Sequence, residues 1–206
     1  MRIWHYTVGV RLRSILKDQM IEFATTGIRT GERPVVWATT SPKWEPTANK
    51  AINRDGHNVF LDKRETTTHG EGLYRIEVMP EAVPYGWDEY KRLSNIDERM
   101  AKGLARVARE QGSNYRDWRV SFKPVAADQW LRIEFEVGHS DEWTEISMDL
   151  VKTWTQPVIE KGCPVCHEME ERWGRPWRYM PDPLTGEPRA VCTSCYTVIT
   201  KRAAQS

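Results

Sequence analysis

Long apolar runs are missing from this chain. No stretch approaches about 18 consecutive apolar residues, so no membrane-spanning helix is expected. The opening Met1-Arg2-Ile3-Trp4-His5-Tyr6 has none of the apolar core of a signal peptide. Net charge is missing too: 30 Lys and Arg stand against 29 Asp and Glu, leaving +1. There is thus no global electrostatic case for nucleic acid or membrane, and any such partner needs a local patch. Cysteine is absent before Cys163. Gly-x-x-x-x-Gly-Lys-Ser/Thr, Gly-x-Gly-x-x-Gly and Gly-x-Ser-x-Gly are all absent, which dismisses P-loop and Rossmann sites and the hydrolase nucleophile elbow. A soluble, cytoplasmic protein without a membrane partner is the expectation.

What is present begins with tryptophan, ten of them in 206 residues. Each contributes large burial for few rotatable bonds, so most are expected as core or cleft walls. The length allows one sizeable core with an appendage, or two modest domains. Composition changes beyond Gln156-Pro157, which places a boundary between residues 1–156 and 157–206.

In the first part, residues 2–7 read as a strand. Leu12, Ile15, Leu16 and Met20 then form one apolar helical stripe, with Thr7 as cap. Val35 to Thr39 reads as a buried strand, and Pro46 suits the first turn of a short helix. Thr66 to Gly72 reads as a loop. Leu73 to Met79 alternates, with Arg75 and Glu77 on the solvent face. Ser94-Asn95-Ile96-Asp97 resembles a capping box opening a helix whose apolar face carries Ile96, Met100, Leu104, Val107 and Ala108. Trp118–Phe122, Leu131–Val137 and Trp143–Leu150 are further strand candidates. The fold class is therefore α+β: a split small β-sheet with flanking helices, followed by a small C-terminal module.

That module holds Cys163-Pro-Val-Cys166 and Cys192-Thr-Ser-Cys195. Two Cys-x-x-Cys knuckles offer four soft thiolates at tetrahedral geometry, the ligand set of structural zinc. Too short for a core of its own, the segment would draw folding energy from the metal. Cys163-x-x-Cys166-His167 also matches a c-type haem attachment pattern, but that leaves Cys192 and Cys195 unexplained. Between the knuckles, Arg172-Trp173-Gly174-Arg175-Pro176-Trp177-Arg178-Tyr179 interleaves arginines and aromatics. Such a run stacks on bases or, in the plainer reading, covers the module; with seven Lys and Arg against six Asp and Glu the segment is barely basic.

His5-x-Thr7 at a strand end, then Leu12 to Leu16, then Val35-Val36-Trp37-Ala38 and the helix start around Lys43 to Ala48 resemble the ADP-ribosyltransferase-like superfamily in order and spacing. That superfamily includes poly(ADP-ribose) polymerases, DNA-targeting ADP-ribosyltransferase toxins and RNA 2′-phosphotransferases. The resemblance covers residues 2–51 and 115–137. It implies an NAD cleft in which His5 reaches the adenosine-side ribose and Thr7 supports it. The backbone near Tyr6 would hold the nicotinamide amide, with Trp37, Ala38 and Trp44 in the stacking region. It implies ADP-ribosyl transfer to a protein or nucleic-acid acceptor.

The sequence departs from the family at one place: where a Glu usually opens the strand matching Trp118–Phe122, Asp117, Trp118 and Arg119 stand. A carboxylate is wanted beside a developing oxocarbenium ion. Glu45, Asp117, Glu134 and Glu145 are the candidates, with Glu45 first because it follows Trp44. The plain alternatives are a satisfied core histidine for His5, a first-turn glutamate for Glu45, and a solvated strand face for Glu134 and Glu136. Two other functions stay open: a non-catalytic binder of NAD or ADP-ribose, and a zinc-dependent nucleic-acid-binding protein.

Overall fold

The computed structural model describes residues 1–25, 27–137 and 140–147, and the backbone of two strands at 177–181 and 188–192. Two compact units divide the chain, Met1–Thr155 and Gln156–Ser206.

Within the first unit the described residues form a mixed α+β fold with four α-helices. In chain order the elements are β1 (Ile3–Val8), α1 (Gly9–Asp18), β2 (Met20–Ile21), β3 (Val36–Thr39), β4 (Ala51–Arg54), β5 (His57–Phe60), α2 (Lys63–Gly70), β6 (Leu73–Val78), β7 (Tyr85–Gly86), α3 (Trp87–Leu93), α4 (Glu98–Glu110), β8 (Trp118–Ser121), β9 (Val125–Ala126), β10 (Trp130–Val137) and β11 (Glu142–Ile146). Seven of the strands make one sheet in the order β11-β10-β6-β1-β3-β8-β7. Every pairing in it is antiparallel.

The sheet is continuous but nearly parted at its centre. β1 and β6 pair over six residues, and β3 and β8 over four. β1 and β3 share a single register pair, Trp4 with Thr39.

Helices cover the sheet on both faces. Leu12 and Leu16 of α1 pack with Ile3, Val36, Ala38, Ile76, Val78 and Ile133. On the other face α3 and α4 cover Trp37, Trp118 and Val120. There Trp37 meets Tyr90 and Trp118 with ring centroids 4.7 and 5.3 Å apart, in edge-on geometries that aromatic quadrupoles favour.

Local chemistry explains several boundaries. α4 begins at Asp97, whose carboxylate accepts from the Met100 amide at 2.9 Å. The face it buries is Ala101, Ala105 and Ala108, while Val107 is 37 % exposed. Small residues line the helix because the facing volume is filled by Trp87, Tyr90 and Trp118. α1 starts directly after Val8 rather than at Thr7, and Thr7 stays in the strand.

Residues 66–70, read as loop, belong instead to α2. Asp62 and Glu65 close a reciprocal capping box there, the signal Asp-x-x-Glu being present in the sequence. β4 and β5 form a separate hairpin whose turn, Asp55-Gly56, has positive φ at both residues (52° and 82°), as a two-residue hairpin turn requires.

In the second unit the described backbone is a hairpin of β12 (Trp177–Pro181) and β13 (Pro188–Cys192), with Trp177 paired to Cys192. Cys163, Cys166 and Cys195 lie outside the described residues, as do His139 and most of the arginine–aromatic run. Among the described residues no helix is long and apolar enough to cross a membrane.

Candidate functional site

Side chains alternate across a strand, so β1 sends Ile3, His5 and Thr7 to one face and Trp4, Tyr6 and Val8 to the other. His5 sits opposite Ile76 on β6, on the face covered by α1. It is half-buried. Its Nδ1 lies 2.8 Å from the backbone oxygen of Trp37, across the gap where β1 and β3 part.

A carbonyl only accepts, so Nδ1 carries the hydrogen and Nε2 presents its lone pair. Nε2 has no partner among the described residues. Burial pushes the His5 pKa down to about 4; the Trp37 carbonyl opposes this, and the positive charge of Lys50 adds to it. His5 is therefore neutral at pH 7, with Nε2 as its acceptor atom.

Lys50 was not among the sequence candidates. It precedes β4, and its amide donates to the Thr66 hydroxyl at 3.1 Å. Its pKa is lowered by burial and by nearby Arg11. Neither Lys50 nor Arg11 makes an ion pair among the described residues. Thus Arg11 bears electrostatically on Lys50 and Lys50 on His5, with no carboxylate paired to either cation among the described residues. A lone Lys before a hairpin gives no sequence signal of this.

The remaining candidates divide between faces. Ala38 shares the core with Ile3 and Ile76, on the His5 side. Thr7 is 3 % exposed beside it on β1. The Trp37 ring leaves β3 on the opposite face, locked against Tyr90 and Trp118. Tyr6 and Trp44 meet edge-on at 5.4 Å, also on that opposite face, together with Trp4 and Val8. The Tyr6 hydroxyl donates to the Ser41 carbonyl at 2.9 Å, and burial pushes its pKa up to about 12.

Glu45 is 7 % exposed. Its carboxylate caps the 3₁₀ turn Pro46–Ala48, accepting from the Thr47 amide at 3.3 Å and the Thr47 hydroxyl at 2.7 Å. Trp44 donates from Nε1 to Asn49 at 2.8 Å. Trp44, Glu45, Pro46 and Asn49 line a cleft of about 390 Å³ together with Ser113, Asn114 and Asp117. Neither His5 nor Thr7 lines it.

Glu134, read as solvent-facing, is 6 % exposed and bonds Arg75 through Nε at 2.6 Å. Glu77 is likewise buried, paired with Arg2 at 2.8 Å and Arg132 at 2.9 Å. Charge survives in this face because Glu134 and Glu77 meet guanidinium groups and Glu136 meets the Lys63 ammonium. Among the described residues no three metal-ligating side chains gather.

No family model, no curated protein and no solved structure matches the chain.

Proposed function

We propose that this chain is an ADP-ribosyltransferase-like, NAD-binding protein whose ligand enters where β1 and β3 part. The observation that carries the reading is the His5 imidazole, neutral, anchored through Nδ1 to Trp37 and with Nε2 unpartnered among the described residues. An acceptor nitrogen in that state receives the hydrogen of a ribose hydroxyl. Lys50 and Arg11, without carboxylate partners among the described residues, suit the adjoining pyrophosphate. In transfer, the glycosidic C–N bond breaks with its electron pair leaving on nicotinamide. A nucleophile on protein or nucleic acid then bonds the anomeric carbon and gives up its proton.

A non-catalytic NAD or ADP-ribose binder is the second reading, and a specific observation favours it. Glu45, the first choice for the stabilising carboxylate, is engaged as a cap beside Trp44, on the face opposite His5.

The deciding experiment mixes the protein with NAD labelled on ADP-ribose, with protein, DNA and RNA acceptors. The variants are His5→Asn, which keeps a donor for the Trp37 carbonyl but removes Nε2, and Glu45→Gln. Nicotinamide release lost in both variants establishes the transferase with Glu45 in its chemistry. Release lost only in His5→Asn makes Glu45 a cap. Binding without release establishes the binder, and no NAD binding at all sinks the reading.

The second unit is proposed as a structural zinc module held by Cys163, Cys166, Cys192 and Cys195 in a reducing, cytoplasmic setting. One zinc per chain, lost in Cys163→Ser/Cys192→Ser, is the expected metal analysis.

A further inference from the structure

The near-neutral chain carries its positive charge very unevenly. Residues 91–123 hold nine Lys and Arg against four Asp and Glu, whereas the chain as a whole balances at +1. The centre of this region is α4. Arg99, Lys102, Arg106 and Arg109 recur at i, i+3, i+7 and i+10, and all four are exposed. At 100° per residue they fall within an arc of roughly 80°. Ala101, Ala105 and Ala108, about 110° round the helix from that arc, turn into the core.

Arg99 has no acidic partner among the described residues. Lys102 and Arg106 touch only Glu98 and Glu110 of the same helix, through side chains 75 % and 68 % exposed, so those pairs are weak and easily exchanged. Lys91, paired with Asp88 at 2.8 Å, and Arg116 flank α4 in sequence, both exposed.

We infer that the exposed face of α4 is a docking surface for the phosphodiester backbone of nucleic acid. The cations run along about 15 Å of helix, the length of roughly four phosphates of one strand. Each side chain offers a donor that a phosphate oxygen accepts, and counterions released from the polyanion drive the contact. No exposed aromatic lies in the stripe: Tyr115, nearest to it, is half-buried beneath Arg109. The surface therefore tracks backbone without stacking on bases, and it discriminates little between sequences. A membrane surface fits less well, because a helix lying in lipid headgroups inserts its apolar face, and that of α4 is spent on the protein core. The inference stands whether or not NAD binds.

The test uses the full chain and fluorescence anisotropy of a labelled, mixed-sequence DNA duplex, titrated between 50 and 200 mM salt. With four phosphate contacts the affinity falls about 100-fold over that range, a slope of log K on log salt of about −3.6. Arg99→Gln/Arg106→Gln reduces the slope by about two and leaves the thermal transition in place. The charge-matched control Lys17→Gln/Arg29→Gln, at exposed positions elsewhere, leaves the slope unchanged.

Absence of duplex binding at 50 mM salt overturns the inference. So does an unaltered slope in Arg99→Gln/Arg106→Gln, which would assign binding to other residues, those after Gln156 included. An equal loss in the control would reduce the effect to bulk charge and overturn it as well. Binding to phosphatidylserine vesicles but not to duplex assigns the stripe to membrane instead.

Discussion

The Nδ1 of His5 and the carbonyl oxygen of Trp37, 2.8 Å apart, bridge the place where the central sheet comes open. β1 and β3 meet at Trp4 and Thr39 and then share no further register pair, so an ordinary ladder bond is replaced by a side-chain bond. The substitution has two consequences. It satisfies a strand carbonyl that splaying would otherwise leave without a donor. It also fixes the imidazole in one tautomer, which decides what Nε2 can do.

The first prediction concerns pH. His5 titrates at 6.5 in an unfolded chain and at about 4 when folded. Between those values the unfolded state binds the additional proton, so stability rises with pH across this window and His5 contributes fully above it. The loss on acidifying through the window is on the order of 2–3 kcal/mol. Ligand contact through Nε2 follows the folded value and stays constant from pH 8 to pH 5. Urea midpoints of wild type and His5→Asn from pH 4 to 7.5 check this: the wild type carries a slope that the variant loses. Parallel slopes would remove His5 from the account.

The second prediction concerns buried charge. The Arg75 guanidinium lies 3.9 Å from the Trp4 ring centroid and 4.4 Å from that of Trp143. It donates to Glu134 and to the Pro42 carbonyl, which ties the 41–45 segment to the sheet. Arg75→Met keeps the volume but strips Glu134 of its main partner, at a cost of about 3–5 kcal/mol. Adding Glu134→Leu removes the orphaned charge and recovers more than half of that loss. A double-mutant cycle by urea denaturation measures it; additive losses would show that the two side chains act separately.

This network shows why the sequence discloses some faces and hides others. The alternation of Leu73 to Val78 identifies a strand, yet it marks Arg75 and Glu77 as solvent-facing, and both are buried. A strand flanked by β1 and β10 and covered by Trp4 and Trp143 has no wet side, and alternation in one segment cannot register what its neighbours bring. For α4 the cap Asp97 and the period are legible. The buried face is legible in part: Ala108, Ile96 and Leu104 join the cluster as expected, whereas Ala101 and Ala105 answer by their small size to distant tryptophans.

At the site, the spacing brings β1, β3 and the Trp44 turn together, but it does not separate their faces. Trp37 and Ala38 are adjacent in sequence, and only the pairing of Trp4 with Thr39 tells which of them accompanies His5. Lys50 enters through the β4–β5 hairpin and α2, a tertiary placement with no local motif.

The last prediction sets two glycines against each other. A Cβ on Gly9 would run into the Glu71 carbonyl oxygen and come 3.1 Å from the Tyr74 ring, and its amide already donates to Gly72 at 3.2 Å. The obstacle is backbone rather than a movable side-chain tip, so the α1 start and the α2–β6 turn have to separate. Gly9→Ala therefore costs about 1–3 kcal/mol or more. Gly103 lies in the interior of α4 with nothing within 4 Å of an added Cβ. Alanine there gains helix propensity alone, and Gly103→Ala stabilises by about 0.5–1 kcal/mol. Thermal unfolding of the two variants is expected to move in opposite directions. A neutral Gly9→Ala would mean that β1, α1 and α2 do not close on one another as tightly as their contact at Glu71 requires, and the anchoring of His5 within β1 would need another source.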